Sequence, residues 1–164
     1  MSKQLCLIRH AKAKEIKPEQ VDFDRKLAKR GRADAEAMAQ QLLPLGLKPT
    51  LIYSSPAERT RETAEIFAQV LGYAPEKIVH VPEVYEANLQ TLLEVVNKMS
   101  DEADTALLVG HNPGLTVLAD YLSPTEVAFL PTTGMALFEF EVDSWSEISG
   151  STGTLLWLKN PKMF

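Results

Sequence analysis

The chain has 164 residues, 45% of them hydrophobic, and a formal net charge of −5. That is enough apolar material for a soluble domain with a core of its own, and the acidic balance argues against a general nucleic-acid binder. A single cysteine, Cys6, excludes a disulfide framework, no stretch reaches membrane-spanning length, and the first apolar run is too short for a signal peptide, so a cytoplasmic protein with no membrane partner is expected.

Gln4–Ile8 reads as a buried central strand that rises to Arg9-His10 and stops. The Lys-rich stretch 11–19 reads as a loop, with Lys12, Lys14 and Lys17 a solvated face able to guide an acidic substrate inward. Phe23–Leu27 leads toward a helix, with Arg30-Gly31 a turn within that lead-in. Ala35, Met38, Ala39 and Leu42 mark the apolar face of that helix, which Pro44 and Gly46 close. Thr50–Ser54 is a second strand. Ser55-Pro56-Ala57-Glu58 spells a capping box with proline at the first helical position, and the helix runs to about Leu71, where Gly72 stops it.

Ile78–Val81 is a short third strand whose His80 reads as structural or exposed. Leu89, Leu92, Leu93 and Val96 form the next helical face, capped by Asn88. Thr105–Val109 is a fourth strand leading to Gly110-His111, and Asn112-Pro113 repeats the cap-then-proline start of a helix carrying Leu115, Leu118, Ala119 and Leu122. Thr132-Thr133-Gly134 reads as a turn. Leu137–Val142, alternating apolar with Glu139 and Glu141, reads as a half-exposed antiparallel strand near an edge, and Thr154–Leu158 as a closing strand. This order implies an α/β fold: a three-layer α/β/α sandwich with a mainly parallel central sheet and an antiparallel strand near the C-terminus.

Parallel strands put Arg9 and His10, Ser54, Ser55 and Arg59, and Gly110, His111 and Asn112 at one sheet edge, where open α/β sheets bind ligands. Helix N-termini and arginine forks at such an edge suit a phosphoryl group, with Arg9, Arg59, His111 and Asn112 as its ligands. His10 adds a nucleophile. A neutral imidazole has a lone pair, and neighbouring arginines depress its pKa. Arg25 fits either a structural ion pair or the pocket rim. No metal ligand set is evident: there is no H-x-x-x-H pair and no carboxylate cluster at the strand ends.

The segments Leu7-Ile8-Arg9-His10-Ala11, Ser54–Thr60 and Val109–Gly114 jointly resemble the histidine phosphatase (phosphoglycerate mutase-like) superfamily. Arg9–Ala13, the Asp24-Arg25-x-Leu27-x-x-x-Gly31 pattern and the small size are similar to its SixA-type protein-phosphohistidine phosphatases. Ala11 stands where most of the superfamily has glycine. The resemblance implies a phosphoglycerate mutase-like fold in a single histidine phosphatase domain over 1–164. It also implies a metal-independent phosphatase working through phospho-His10, with Arg9, Arg59 and His111 around the phosphate and no cofactor. Larger members protonate an oxygen leaving group with a carboxylic acid, for which Glu83 is the first candidate here and Glu86 the second. An imidazole leaving group can be protonated without a dedicated acid, which favours protein phosphohistidine as substrate. A small-molecule phosphomonoesterase or mutase is the alternative, and a non-catalytic phospho-binding module a third reading. A monomer or weak dimer is expected.

Overall fold

The structure, a computed structural model, describes residues 2–163. Six strands form one sheet: β1 (Lys3–Arg9), β2 (Leu51–Ser54), β3 (Val79–His80), β4 (Thr105–Gly110), β5 (Met135–Phe140) and β6 (Gly153–Lys159), in the order β3-β2-β4-β1-β5-β6. β3, β2, β4 and β1 are mutually parallel, while β5 runs antiparallel to both of its neighbours. Four helices, α1 (Lys29–Gln40), α2 (Glu58–Leu71), α3 (Leu89–Asn97) and α4 (Gly114–Leu122), cover the two faces.

The near-continuous apolar run of β1 reflects this double covering. Leu5 and Leu7 pack with α3 and α4 on one face, whereas Cys6 and Ile8 pack with α1 and α2 on the other. The three-layer α/β architecture is therefore as expected. The crossovers put β4 between β1 and β2, so the carboxyl ends of these three strands are adjacent.

Several local readings need correction. The segment expected at Leu137–Val142 is antiparallel and next to the edge strand, as expected, but it is β5 (Met135–Phe140) and not half-exposed: it is flanked by β1 and β6, and only Glu139 of its six residues is not fully buried. The true repeat is the continuous run Met135-Ala136-Leu137-Phe138, whose side chains enter both cores; the Phe-Glu alternation obscures it. Ser55 is not the cap of α2, which starts at Glu58 after Ala57 and has no side-chain cap. α4 starts at Gly114, two residues after Asn112, whose Oδ1 nevertheless accepts the Thr116 amide of its first turn at 3.2 Å. Asn88 does cap α3, accepting from the Thr91 amide at 2.9 Å. Gly72 does end α2 in the left-handed region.

Arg30 and Gly31 lie inside the first turn of α1 rather than in a turn before it. Gly31 is there because the loop after β1 crosses the helix: a Cβ at this position would meet the Lys12 carbonyl oxygen at 2.1 Å. The Ala28 amide donates to that same oxygen at 2.9 Å, which ties the helix start to the loop beyond His10. Helix propensity alone favours alanine over glycine by about 1 kcal/mol. The contact reverses the sign, so Gly31→Ala is expected to cost about 1–3 kcal/mol, measured as a lower urea midpoint with an unchanged m-value.

Candidate active site

The register of β1 against β4 pairs Arg9 with Gly110, and the ladder continues one step further, with the His10 amide donating to the Gly110 carbonyl at 3.1 Å. His10 and His111 therefore leave the sheet side by side, their ring centroids 5.3 Å apart and their planes inclined at 55°. From β2, the Ser55 amide donates to the Val109 carbonyl at 3.1 Å, and α2 then lifts Arg59 to the same edge. His10, Arg59 and His111 are 7%, 6% and 9% exposed, so the cluster is a nearly closed set of polar groups.

Each imidazole has an assignable tautomer. His10 Nδ1 lies 2.8 Å from the Ala11 carbonyl, which can only accept, so Nδ1 carries the proton and Nε2 the lone pair. His111 Nδ1 faces Arg59 Nη2 at 3.3 Å and accepts from it, leaving Nε2–H to donate to Ser55 Oγ at 2.8 Å. Burial, reinforced by Arg59 and Arg9, pulls the His10 pKa down to about 4. Burial, the neighbouring His10 and Arg59 pull that of His111 down to about 3. Both rings are therefore neutral at pH 7. Removal from water, more than the neighbouring arginines, is the cause.

The arginines are held by acceptors outside the sequence motifs. Arg59 Nη1 donates to the Asp22 carbonyl at 2.9 Å and Nη2 to its Oδ2 at 3.0 Å. Tyr85 donates its hydroxyl proton to the same Oδ2 at 2.9 Å and stacks edge-on against His111, with centroids 5.4 Å apart. The Tyr85 hydroxyl, Arg59 and Arg25 outweigh the burial of the Asp22 carboxyl and hold its pKa below the usual carboxylate range. Arg25 Nε stands 3.1 Å from Asp22 Oδ1, so Arg25 forms the structural ion pair and its charge also reaches His10. Arg9 Nη1 donates to the Leu130 carbonyl at 3.2 Å, and its guanidinium lies over the exposed Phe129 ring at 5.5 Å. The Nε groups of Arg9 and Arg59 are buried and have no hydrogen-bond partner among the described residues. A buried donor left unpaired costs about 1–3 kcal/mol, and the charges of Arg9 and Arg59 both act on His10, so the cluster favours an anion over a further cation.

Two expected ligands take other places. Asn112 does not reach the cluster with a free amide: its Nδ2 donates to the Leu130 carbonyl at 2.7 Å, and its Oδ1 accepts from the Thr116 hydroxyl at 2.8 Å. It props the segment whose Leu130 carbonyl also holds Arg9. Glu83 lines a recess with Tyr53, Thr91, Glu94 and Lys98 rather than the histidine cluster. The 3-10 turn Pro82–Val84 points Val84 inward, 1% exposed and under Gly110, and this turns Glu83 outward. Glu86, at φ 56°, instead lines a groove of about 440 Å³ beside His111 and Asn112. Asp22 and Tyr85 carry no periodic or motif signal and were missed. Thr63, also missed, accepts the Ala11 amide at 3.0 Å and donates to the Arg59 carbonyl at 2.7 Å, linking the two sides of the cluster.

Among the described residues no helix is long and apolar enough to cross a membrane. The family model of the histidine phosphatase superfamily (branch 1) matches residues 5–92, a segment that contains His10 and Arg59 and ends before His111. An uncharacterised chloroplastic protein of Arabidopsis thaliana is 34% identical over 165 residues, covering 96% of this chain and 75% of its own. Among solved structures, the provisionally designated phosphohistidine phosphatase SixA of Agrobacterium tumefaciens is 28% identical with a TM-score of 0.83, over 97% of this chain and 98% of the other. The protein histidine phosphatase SixA in complex with tungstate shares the fold at a TM-score of 0.82 and 21% identity, over 98% of both chains. On the family match and the Arabidopsis relative, this chain belongs to the histidine phosphatase superfamily, branch 1, with SixA proteins among its structural neighbours.

Proposed function

We propose that the protein is a phosphatase that works through a phosphohistidine on His10, needs no divalent metal, and acts on protein phosphohistidine. The observation that carries this reading is a lone pair on His10 Nε2 in a buried cluster with His111, within reach of the Arg9 and Arg59 charges. In the proposed reaction, His10 Nε2 attacks phosphorus, an N–P bond forms to His10, and the N–P bond of the substrate breaks. The leaving imidazole takes a proton from solvent. Water then attacks phospho-His10, releasing inorganic phosphate and returning the electron pair to Nε2. Arg9 and Arg59 offset the charge on the equatorial oxygens, which is the part a metal ion plays elsewhere.

A small phosphate monoester is the second reading, and Glu86 favours it, as the carboxylate lining the groove beside His111 that could protonate an oxygen leaving group. A substrate panel separates the two. Phosphohistidine protein is expected to be hydrolysed with the highest kcat/KM, ahead of a phosphoserine peptide and sugar phosphates. Glu86→Gln is expected to leave phosphohistidine turnover within about twofold while slowing phosphoserine turnover by about 10²-fold or more, in line with the contribution of a general acid. His10→Ala is expected to reduce turnover of an aryl phosphate at least about 10³-fold while still binding inorganic phosphate. Wild-type turnover is expected to survive excess chelator. Unchanged turnover in His10→Ala overturns the assignment of the nucleophile.

The neutral imidazoles also set the acid stability. In the unfolded chain both titrate near 6.5, whereas in the folded protein His10 titrates near 4 and His111 near 3. Between these values the unfolded state binds more protons, so stability is full above pH 6.5 and declines as the pH falls toward 4. The melting temperature is expected to be lower by roughly 10 °C at pH 5 than at pH 7. His10→Asn and His111→Asn are each expected to show a shallower decline, measured by calorimetry across that range.

A further inference from the structure

Lys12, Arg30 and Lys162 line a cleft of about 390 Å³ together with Asp34, Thr132 and two prolines. Three cations thus meet one carboxylate in a chain whose net charge is −5. Asp34 offsets one of them through a long ion pair, Arg30 Nε to Asp34 Oδ2 at 3.8 Å, while Lys12 and Lys162 make no ion pair among the described residues. The three come from separate parts of the chain: the loop after β1, the first turn of α1, and the 3-10 turn Pro161–Met163. The first turn of α1 has no acidic residue and no side-chain cap, so the helix dipole adds to the positive potential there.

The cleft is tied to the reacting group by short covalent paths. Lys12 is two residues from His10, at most about 7 Å along the chain. Thr132 precedes Thr133, whose amide is shared between the Arg9 and His10 carbonyls at 3.1 Å each. The Lys12 carbonyl is held by the Ala28 amide and crossed by Gly31, so the loop and the helix start form one wall.

We propose that this cleft is a second anion site that takes an acidic side chain, aspartate or glutamate, lying within about three residues of the phosphohistidine in the protein substrate. It rests on the reading of the function given above and adds to it the charge of the substrate. The cleft is open and carries no orphaned arginine Nε, which suits a carboxylate at the rim more than a second phosphoryl group. Three partly screened ion pairs at such a rim amount to about fivefold to tenfold in specificity.

The test uses two phosphohistidine peptides that differ only at neighbouring positions, acidic in one and Asn/Gln in the other. The wild-type protein is expected to favour the acidic peptide by about fivefold to tenfold in kcat/KM, through KM, and the preference is expected to shrink as salt rises from about 0.05 to 0.5 M. Arg30→Glu with Lys162→Glu is expected to abolish that preference and to favour a Lys-bearing peptide. Lys12→Glu serves as a second, independent variant, with melting temperature confirming that each folds. Equal kcat/KM for the two peptides in wild type, or an unchanged ratio in the variants, overturns the proposal. A preference for a bisphosphorylated small molecule over the acidic peptide, lost in the variants, assigns the cleft to a small-molecule phosphate and overturns it as well. Failure of the wild type to hydrolyse any phosphohistidine peptide while still hydrolysing an aryl phosphate would instead refute the underlying reading of the substrate.

Discussion

The parallel ladder between β1 and β4 is the constraint on which the site depends. Arg9 opposite Gly110, followed by the hydrogen bond from the His10 amide to the Gly110 carbonyl, puts two imidazoles separated by 100 residues next to each other. Because side chains alternate along a strand, a slip of one residue would exchange the two core faces and send His10 to the opposite side of the sheet. The far end of the same ladder is pinned as well. Lys3, only 2% exposed, places its ammonium on the carbonyls of Asp101 and Ala103 and on the carboxylate of Asp104, holding the start of β1 against the turn that leads into β4.

Charge in the cluster is arranged so that cations crowd together without a proton on either imidazole. Arg9 and Arg59 lie close enough for burial and mutual repulsion to lower the pKa of Arg9. Asp22 is the counter-charge that makes this tolerable, and it holds Arg59 from below through both its backbone oxygen and its carboxylate. The side chain that neutralises the arginine also orients it, and Tyr85 orients Asp22 in turn. Thr63 ties the loop after His10 to the first turns of α2, linking the backbone beside the nucleophile to that of Arg59.

The fold was largely legible because its strands are buried on both faces and its helices carry clear apolar stripes. The motif residues His10, Arg59 and His111 were legible because strand ends and helix starts announce themselves. Three features were not. Asp22 and Tyr85 belong to irregular segments, where no period links sequence position to direction. Ser55 and Asn112 have the composition of helix caps and do accept the Ala57 and Thr116 amides, but their oxygens are shared with the His111 ring and the Thr116 hydroxyl; a capping residue type records a capacity for hydrogen bonding, and its further partners are decided by the tertiary fold. Glu83 and Glu86 are three residues apart in a turn, and only the inward packing of Val84 decides which of them faces the groove.

The irregularity between β5 and β6 has its own consequence. Leu137 pairs with Trp157 and Phe138 with Leu155, leaving Leu156 as an extra residue on the outermost strand. Leu155 and Trp157 then enter opposite cores, although two residues apart, and Leu156 stays 46% exposed. The bulge twists the rim of the sheet out of plane, so its free amides and carbonyls do not present a flat template to another molecule. The defect thereby discourages stacking into fibrils along an edge that two solvent-facing leucines would otherwise make adhesive.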